Sequence, residues 1–270
     1  MEVLETAAAL VPLIREKKPL IHHITNYVTI NDCANITLAI GASPIMAIDK
    51  AEVEEIAAKA AALLLNIGTP TLASIESMLL AGKKANEFGV PVILDPVGAG
   101  FTQLRRMAVS NILKTVKLAV IRGNAAEIGF LAGANTNIKG VDSTITGENN
   151  DKIARELAAQ LGCVVVITGE KDLISAGNKV YCTANGHKML TQITGTGCMI
   201  SSLIAAFAAV TDNYLAAALG GVLAMGIAGE TAYHSPGGPK GPGTLKVKIF
   251  DHISTLTPDT IKGLAKLTNP

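Results

Sequence analysis

Short apolar runs alternate with longer stretches of helical period along most of this chain, and that alternation sets the expected architecture. Apolar runs at 20–24, 43–47, 62–66, 91–95, 118–121 and 163–168 predict strands, several of them without a polar face. Between them, apolar residues recur at helical spacing over 7–16, 51–59, 72–88, 102–116 and 151–161. Thr29 or Asn31 can cap a further helix that runs to Ile40 and stops at Gly41, and Asn124 caps a short one to Leu131. Residues 171–183 read as a hairpin turning at Gly177-Asn178, and the chain after Gly197 is mostly helical. Such alternation implies an α/β fold with a mostly parallel sheet, helices on both faces and the hairpin as an antiparallel edge. No repeat, linker or low-complexity stretch interrupts the pattern, so one domain over 1–270 is expected.

In an open parallel sheet, ligands lie off the carboxyl ends of the strands. The residues there are Thr25-Asn26, Met46, Asn66 with Gly68-Thr69, Asp95-Pro96-Val97-Gly98-Ala99-Gly100, Arg122-Gly123-Asn124 and Thr168-Gly169-Glu170. The run Thr194-Gly195-Thr196-Gly197-Cys198-Met199 adds a glycine turn that opens a helix, with Ile200, Leu203, Ile204 and Phe207 on its buried face. Gly195 and Gly197 allow positive φ and outward-facing amides, and the helix dipole behind them favours an anion, most often phosphate. Cys198 lies in the first turn, where the same field favours thiolate. The alternative is an ordinary glycine turn with a small buried cysteine.

Composition removes several classes of function. Hydrophobic residues make up 49% of the chain but aromatics only 3%, so the core must be built from Ala, Val, Ile and Leu. A net charge of +1 without a basic cluster argues against nucleic acid or an anionic membrane as partner. The four cysteines show no Cys-x-x-Cys spacing, so no zinc site or redox pair is indicated. With no signal sequence visible, they are expected to be reduced thiols in the cytoplasm. The most apolar segment, 215–232, is broken by Gly220, Gly221, Gly226, Gly229 and Glu230 and reads as a buried helix, not a membrane span.

Each rim residue carries two readings. Asp95, in an open glycine loop, can hold Mg²⁺ directly or through water, or can cap the helix that begins near Thr102. Glu127 can orient metal-bound water, or can form a capping box with Asn124. Arg122 can meet phosphate oxygens as a bidentate donor, or can sit in a surface ion pair. Thr168 can offer a hydroxyl to a nucleotide, or can end a strand in a simple turn. Met46 suits the wall of a pocket for a flat heteroaromatic ring, or the core. Lys171-Asp172 reads as solvated surface. His22 and His23 are adjacent strand residues that point to opposite faces, so they are no metal pair. The chain has no Gly-x-x-x-x-Gly-Lys-Ser/Thr, no Gly-x-Gly-x-x-Gly after a first strand, no Gly-x-Ser-x-Gly and no His-Glu-x-x-His.

The combination of Asn124-Ala125-Ala126-Glu127 with Gly195-Thr196-Gly197-Cys198 resembles the ribokinase-like superfamily. With Ile24-Thr25-Asn26-Tyr27-Val28-Thr29, Gly41-Ala42-Ser43-Pro44-Ile45-Met46, Asp95-Pro96-Val97-Gly98-Ala99-Gly100 and Ile121-Arg122-Gly123-Asn124, the chain is similar to the hydroxyethylthiazole kinases of the thiamine pathway. The resemblance implies a three-layer α/β/α domain that uses ATP and Mg²⁺ to phosphorylate the alcohol of 4-methyl-5-(2-hydroxyethyl)thiazole. It also implies a homotrimer with active sites between subunits. Asn26, Met46 and Gly195 would serve the thiazole, and Arg122, Thr168 and Gly197 the ATP. Asp95 and Glu127 would serve magnesium, and Cys198 would position the alcohol and take its proton late. The wider superfamily usually has Asp at the position of Cys198, whereas Cys is familiar among the thiazole kinases. Three rivals follow from the same resemblance: a kinase for hydroxymethylpyrimidine or pyridoxal, a dehydratase acting on hydrated nicotinamide nucleotides, and a non-catalytic nucleotide binder.

Overall fold

The structure is a computed structural model that describes residues 2–135 and 149–268. In chain order its elements are α1 (Glu2–Lys17), β1 (Leu20–Ile24), α2 (Ile30–Ile40), β2 (Ser43–Ile45), α3 (Val53–Lys59), β3 (Ala62–Asn66) and α4 (Leu72–Glu87). Next come β4 (Val92–Asp95), α5 (Gln103–Thr115), β5 (Val120–Asn124), α6 (Ala125–Asn135), α7 (Asn150–Leu161), β6 (Val164–Thr168), β7 (Asp172–Ala176) and β8 (Lys179–Thr183). The last part is α8 (Thr196–Ala208), α9 (Tyr214–His234), α10 (Pro242–Ser254), α11 (Pro258–Leu264) and β9 (Leu267–Thr268).

All strands among the described residues belong to one sheet of order β2-β1-β3-β4-β5-β6-β7-β8-β9. The pairs from β2 to β6 are parallel and those from β6 to β9 antiparallel. The uniformly apolar strands are explained by the two layers they serve. Ala62 and Leu64 enter a core with α1, α2, α8, α9 and α10, while Leu63 and Leu65 enter a second core with α3 to α7. A polar residue on either face would be stranded there. Leu63, Leu64, Leu65 and Ile93 are fully buried, and each such side chain stabilises the fold by roughly 1.5–3 kcal/mol. The small-residue helix α9 is buried along most of its length, including Gly220 and Gly221, and packs on α8 within the fold.

Local signals end several helices where the sequence places them. Gly41 stops α2 in the left-handed region at φ 104°, and Thr102 caps α5 by accepting from the Arg105 amide at 3.3 Å. Thr29 precedes α2 but makes no side-chain cap. The expected strand 118–121 is displaced: β5 continues through Arg122, Gly123 and Asn124 because all three pair with β6. The two-residue β9, paired with β8, has no counterpart among the expected elements.

Candidate active site

Because β1 to β6 run parallel, their carboxyl ends deliver Asn26, Met46, Asn66, Asp95, Arg122 and Thr168 to one rim. The chain then climbs β8 and begins α8 at the same rim. Ser201, one turn into α8, donates to Asp95 Oδ2 at 2.7 Å. The helix that the glycine turn opens and the strand-end carboxylate are therefore in direct contact.

Gly195 takes φ 90°, a conformation that favours glycine, and a Cβ there would lie 2.5 Å from Thr29 Cγ2. Gly197 differs from expectation. It is part of α8 and has no positive φ. Its missing side chain makes room for the Arg122 guanidinium instead: a Cβ would lie 2.5 Å from Nη1. Among the described residues no side chain caps α8, so its first-turn amides remain for an anion, as at any uncapped helix start.

Arg122 is 8% exposed. Its Nη1 lies 3.6 Å from Asp95 Oδ2 and its Nη2 donates to the Thr168 hydroxyl. A surface ion pair is thus excluded for Arg122, while Thr168 ends β6 at the turn into β7 and also commits its hydroxyl to Arg122. Asp95 is fully buried and does not cap α5, since Thr102 does. Burial pushes the Asp95 carboxyl up to about 6, and Glu127 adds to that shift, while Arg122, Ser201 and Asn66 oppose it. Asp95 Oδ1 and Arg122 Nε are both buried without a hydrogen-bond partner among the described residues. Such atoms cost about 1–3 kcal/mol each unless a ligand completes them.

Glu127 forms the capping box: its amide donates to Asn124 Oδ1 at 2.9 Å and its Oε2 accepts from the Asn124 amide at 2.8 Å. Its Oε1 also accepts from the Gly98 amide at 2.9 Å, which ties the loop after β4 to the start of α6. Among the described residues no group of three or more His, Cys, Asp and Glu forms a ready metal cluster.

Cys198 is buried beneath the rim, where its Sγ accepts from Asn26 Nδ2 at 3.4 Å and Asn66 Nδ2 at 3.3 Å. The expected thiolate character is not met. Burial pushes the thiol above its ordinary value and the Asp95 charge adds to this, against hydrogen bonds from Thr29, Asn66 and Asn26. Met46 lies at the periphery, half-buried after edge strand β2. The segment behind it is fixed by His22 Nε2, 2.8 Å from Ala47 O. His23 faces the other layer, with Nε2 3.3 Å from Thr37 Oγ1 in α2, and burial drives its pKa down to about 3.

Asp172 is not solvated surface. It is 7% exposed because β7 folds back on β6, and its Oδ1 accepts from the Gly169 amide at 3.0 Å. Burial pushes this carboxyl up to about 6, opposed by the Gly169 amide and by Arg122. Ser201 and Arg105 also take roles in the site that their sequence context does not announce. Arg105 donates to Ile67 O at 2.8 Å, Val97 O at 2.6 Å and Gly68 O at 2.6 Å, so it clamps the loops after β3 and β4 together. Ser201 carried a weak signal, one turn beyond Gly197. Arg105 carried none, because its partners are all carbonyls.

Comparison with known proteins agrees with this arrangement. The hydroxyethylthiazole kinase family model matches residues 11–259. A hydroxyethylthiazole kinase of Alkaliphilus metalliredigens is 53% identical over 258 residues, which cover 96% of this chain and 95% of that protein. The solved structure of a hydroxyethylthiazole kinase protein from Pyrococcus horikoshii is 36% identical, with a TM-score of 0.89 over 98% of this chain and 99% of that one. A ribokinase-like superfamily protein from Enterococcus faecalis, 12% identical, shares the fold with a TM-score of 0.63 over 88% of this chain and 87% of its own. Strand order, rim and sequence thus agree: the chain belongs to the hydroxyethylthiazole kinase family.

Proposed function

We propose that this chain transfers the γ-phosphoryl group of ATP to the primary alcohol of 4-methyl-5-(2-hydroxyethyl)thiazole, in thiamine biosynthesis or salvage. The observation that carries the reading is the meeting of the α8 start, Arg122 and Asp95 at one rim, through Gly197 against Nη1 and Ser201 on Asp95. Phosphoryl transfer asks for alignment and charge stabilisation more than for a strong base. In this reading the amides of Gly197 and its neighbours hold the migrating phosphoryl oxygens. Arg122, oriented by Thr168, supplies a fixed positive charge. Asp95 Oδ1, buried and unpaired, fits a divalent cation such as Mg²⁺, with Glu127 reached through water. When bound, that ion neutralises phosphate charge.

Asn26, Met46 and Gly195 would line the thiazole side. Cys198, held as a thiol, acts there as a positioner of the alcohol and not as a base, and the alcohol proton leaves late to an oxygen of the transferred phosphoryl group. We further propose a single cytoplasmic domain over 1–270 that assembles as a homotrimer. Tyr27 and Val28, immediately after Asn26, and Leu72 are 66%, 65% and 70% exposed, and such apolar residues at the rim suit an intersubunit site.

A coupled assay of ADP release over a panel of alcohols tests the activity. The thiazole alcohol should be preferred over hydroxymethylpyrimidine and pyridoxal. Equal or greater turnover of either of those would overturn the substrate assignment.

A further inference from the structure

Asn66, the last residue of β3, has both ends of its side-chain amide committed within the site. Its Nδ2 donates to Asp95 Oδ2 at 3.0 Å and to Cys198 Sγ at 3.3 Å. Its Oδ1 accepts from Asn26 Nδ2 at 2.9 Å and from the Gly68 amide at 2.9 Å. The residue is 1% exposed, so these four contacts are its environment. The two hydrogens of an amide nitrogen lie in one plane at a fixed angle. With one on the carboxylate and the other on the thiol, the two acceptors are fixed relative to each other. The parallel register sets Asn66 beside Asp95, and Asn26 closes the ring from β1 by donating to the same sulfur at 3.4 Å. Elements distant in sequence, β1, β3, β4 and α8, therefore meet at a single side chain.

We propose that Asn66 is a positioning residue for phosphoryl transfer, which sets the placement of Cys198 on the acceptor side relative to Asp95 on the nucleotide side. The inference rests on the kinase reading above. Asn66 touches neither reacting group. It acts through two residues that do, and its removal frees the thiol to shift away from the line between alcohol and phosphoryl group. The nucleotide contacts of Arg122, Thr168 and the α8 amides do not involve Asn66, so the loss should fall on kcat.

Steady-state kinetics with ATP and the thiazole alcohol on wild type, Asn66→Ala, Asn66→Ser, Cys198→Ala and the Asn66→Ala/Cys198→Ala double variant test this. Asn66→Ala should lower kcat on the order of a hundredfold, with KM for both substrates within about threefold. Asn66→Ser, which keeps one donor, should lose less. The double variant should fall well short of the combined loss of the two single variants, because they disturb one unit. Full kcat in Asn66→Ala, a loss confined to KM, or losses that simply multiply would each overturn the proposal. If Asn66→Ala fails to fold, Asn66→Ser with the same cycle decides. A wild-type enzyme that transfers no phosphoryl group overturns the kinase reading as well, whereas an active wild type with indifferent Asn66 variants overturns this inference alone.

Discussion

Ser201 Oγ donates to Asp95 Oδ2 over 2.7 Å, and this bond joins the first turns of α8 to the carboxyl end of β4. The partners are 106 positions apart in sequence, and both are buried. The bond stabilises the ionised carboxylate, which burial alone would disfavour. Ser201→Ala should therefore destabilise the fold by about 1.5–3 kcal/mol at pH 8, the range for a hydrogen bond to a charged group. At pH 5, below the Asp95 value of about 6, the loss should be smaller. Urea unfolding at the two pH values measures the difference, and an equal loss at both would refute the role given to the charge.

The two glycines of the turn should fail in different ways. Gly195→Ala places a side chain at φ 90° and against Thr29, so it should destabilise the protein by about 1–3 kcal/mol. Gly197→Ala sits in a helix, where alanine is intrinsically favoured by about 1 kcal/mol. Its Cβ would displace the Arg122 guanidinium, so kcat/KM for ATP should fall roughly tenfold or more, and the disturbed Arg122–Asp95 pair should cancel the helix gain in thermal stability. Parallel melting curves and kinetics on the two variants separate these effects.

Asp172 gives a pH dependence of known sign. Its folded pKa of about 6 lies above the ordinary value of 3.8, so the folded state binds the proton more tightly than the unfolded chain. Stability from this group is then fully present below about pH 4 and is lost as pH rises to about 6. Asp172→Asn keeps an acceptor for the Gly169 amide and removes the buried charge. The variant should match wild type near pH 4 and exceed it by roughly 2–3 kcal/mol at pH 8. Chemical denaturation across that range is the measurement, and a variant less stable at pH 8 would contradict the assignment.

The layer order was legible because the parallel strands are apolar on both faces, as in Leu63-Leu64-Leu65, and because Gly41 and Thr102 are strong local stop and start signals. Expectation missed where a tertiary partner overrode local character. Arg122-Gly123-Asn124 looks like a loop but pairs with β6, and Asp172 looks solvated but is enclosed by a strand that folds back. In the site, Asp95 and the Gly195 turn stood out by residue type and position. The clamp of Arg105 and the bridge of Asn66 did not, since each depends on atoms brought together only by the fold. Cys198 shows the limit of a local argument: the helix start favours thiolate, yet burial and the Asp95 charge outweigh it.

The most direct test is a crystal structure of the protein with the thiazole alcohol and a non-hydrolysable ATP analogue. The terminal phosphate should lie within hydrogen-bond distance of the first-turn amides of α8 and beside Arg122, with the alcohol oxygen next to Cys198 Sγ. A terminal phosphate bound away from that helix start, or an alcohol remote from Cys198, would contradict the account.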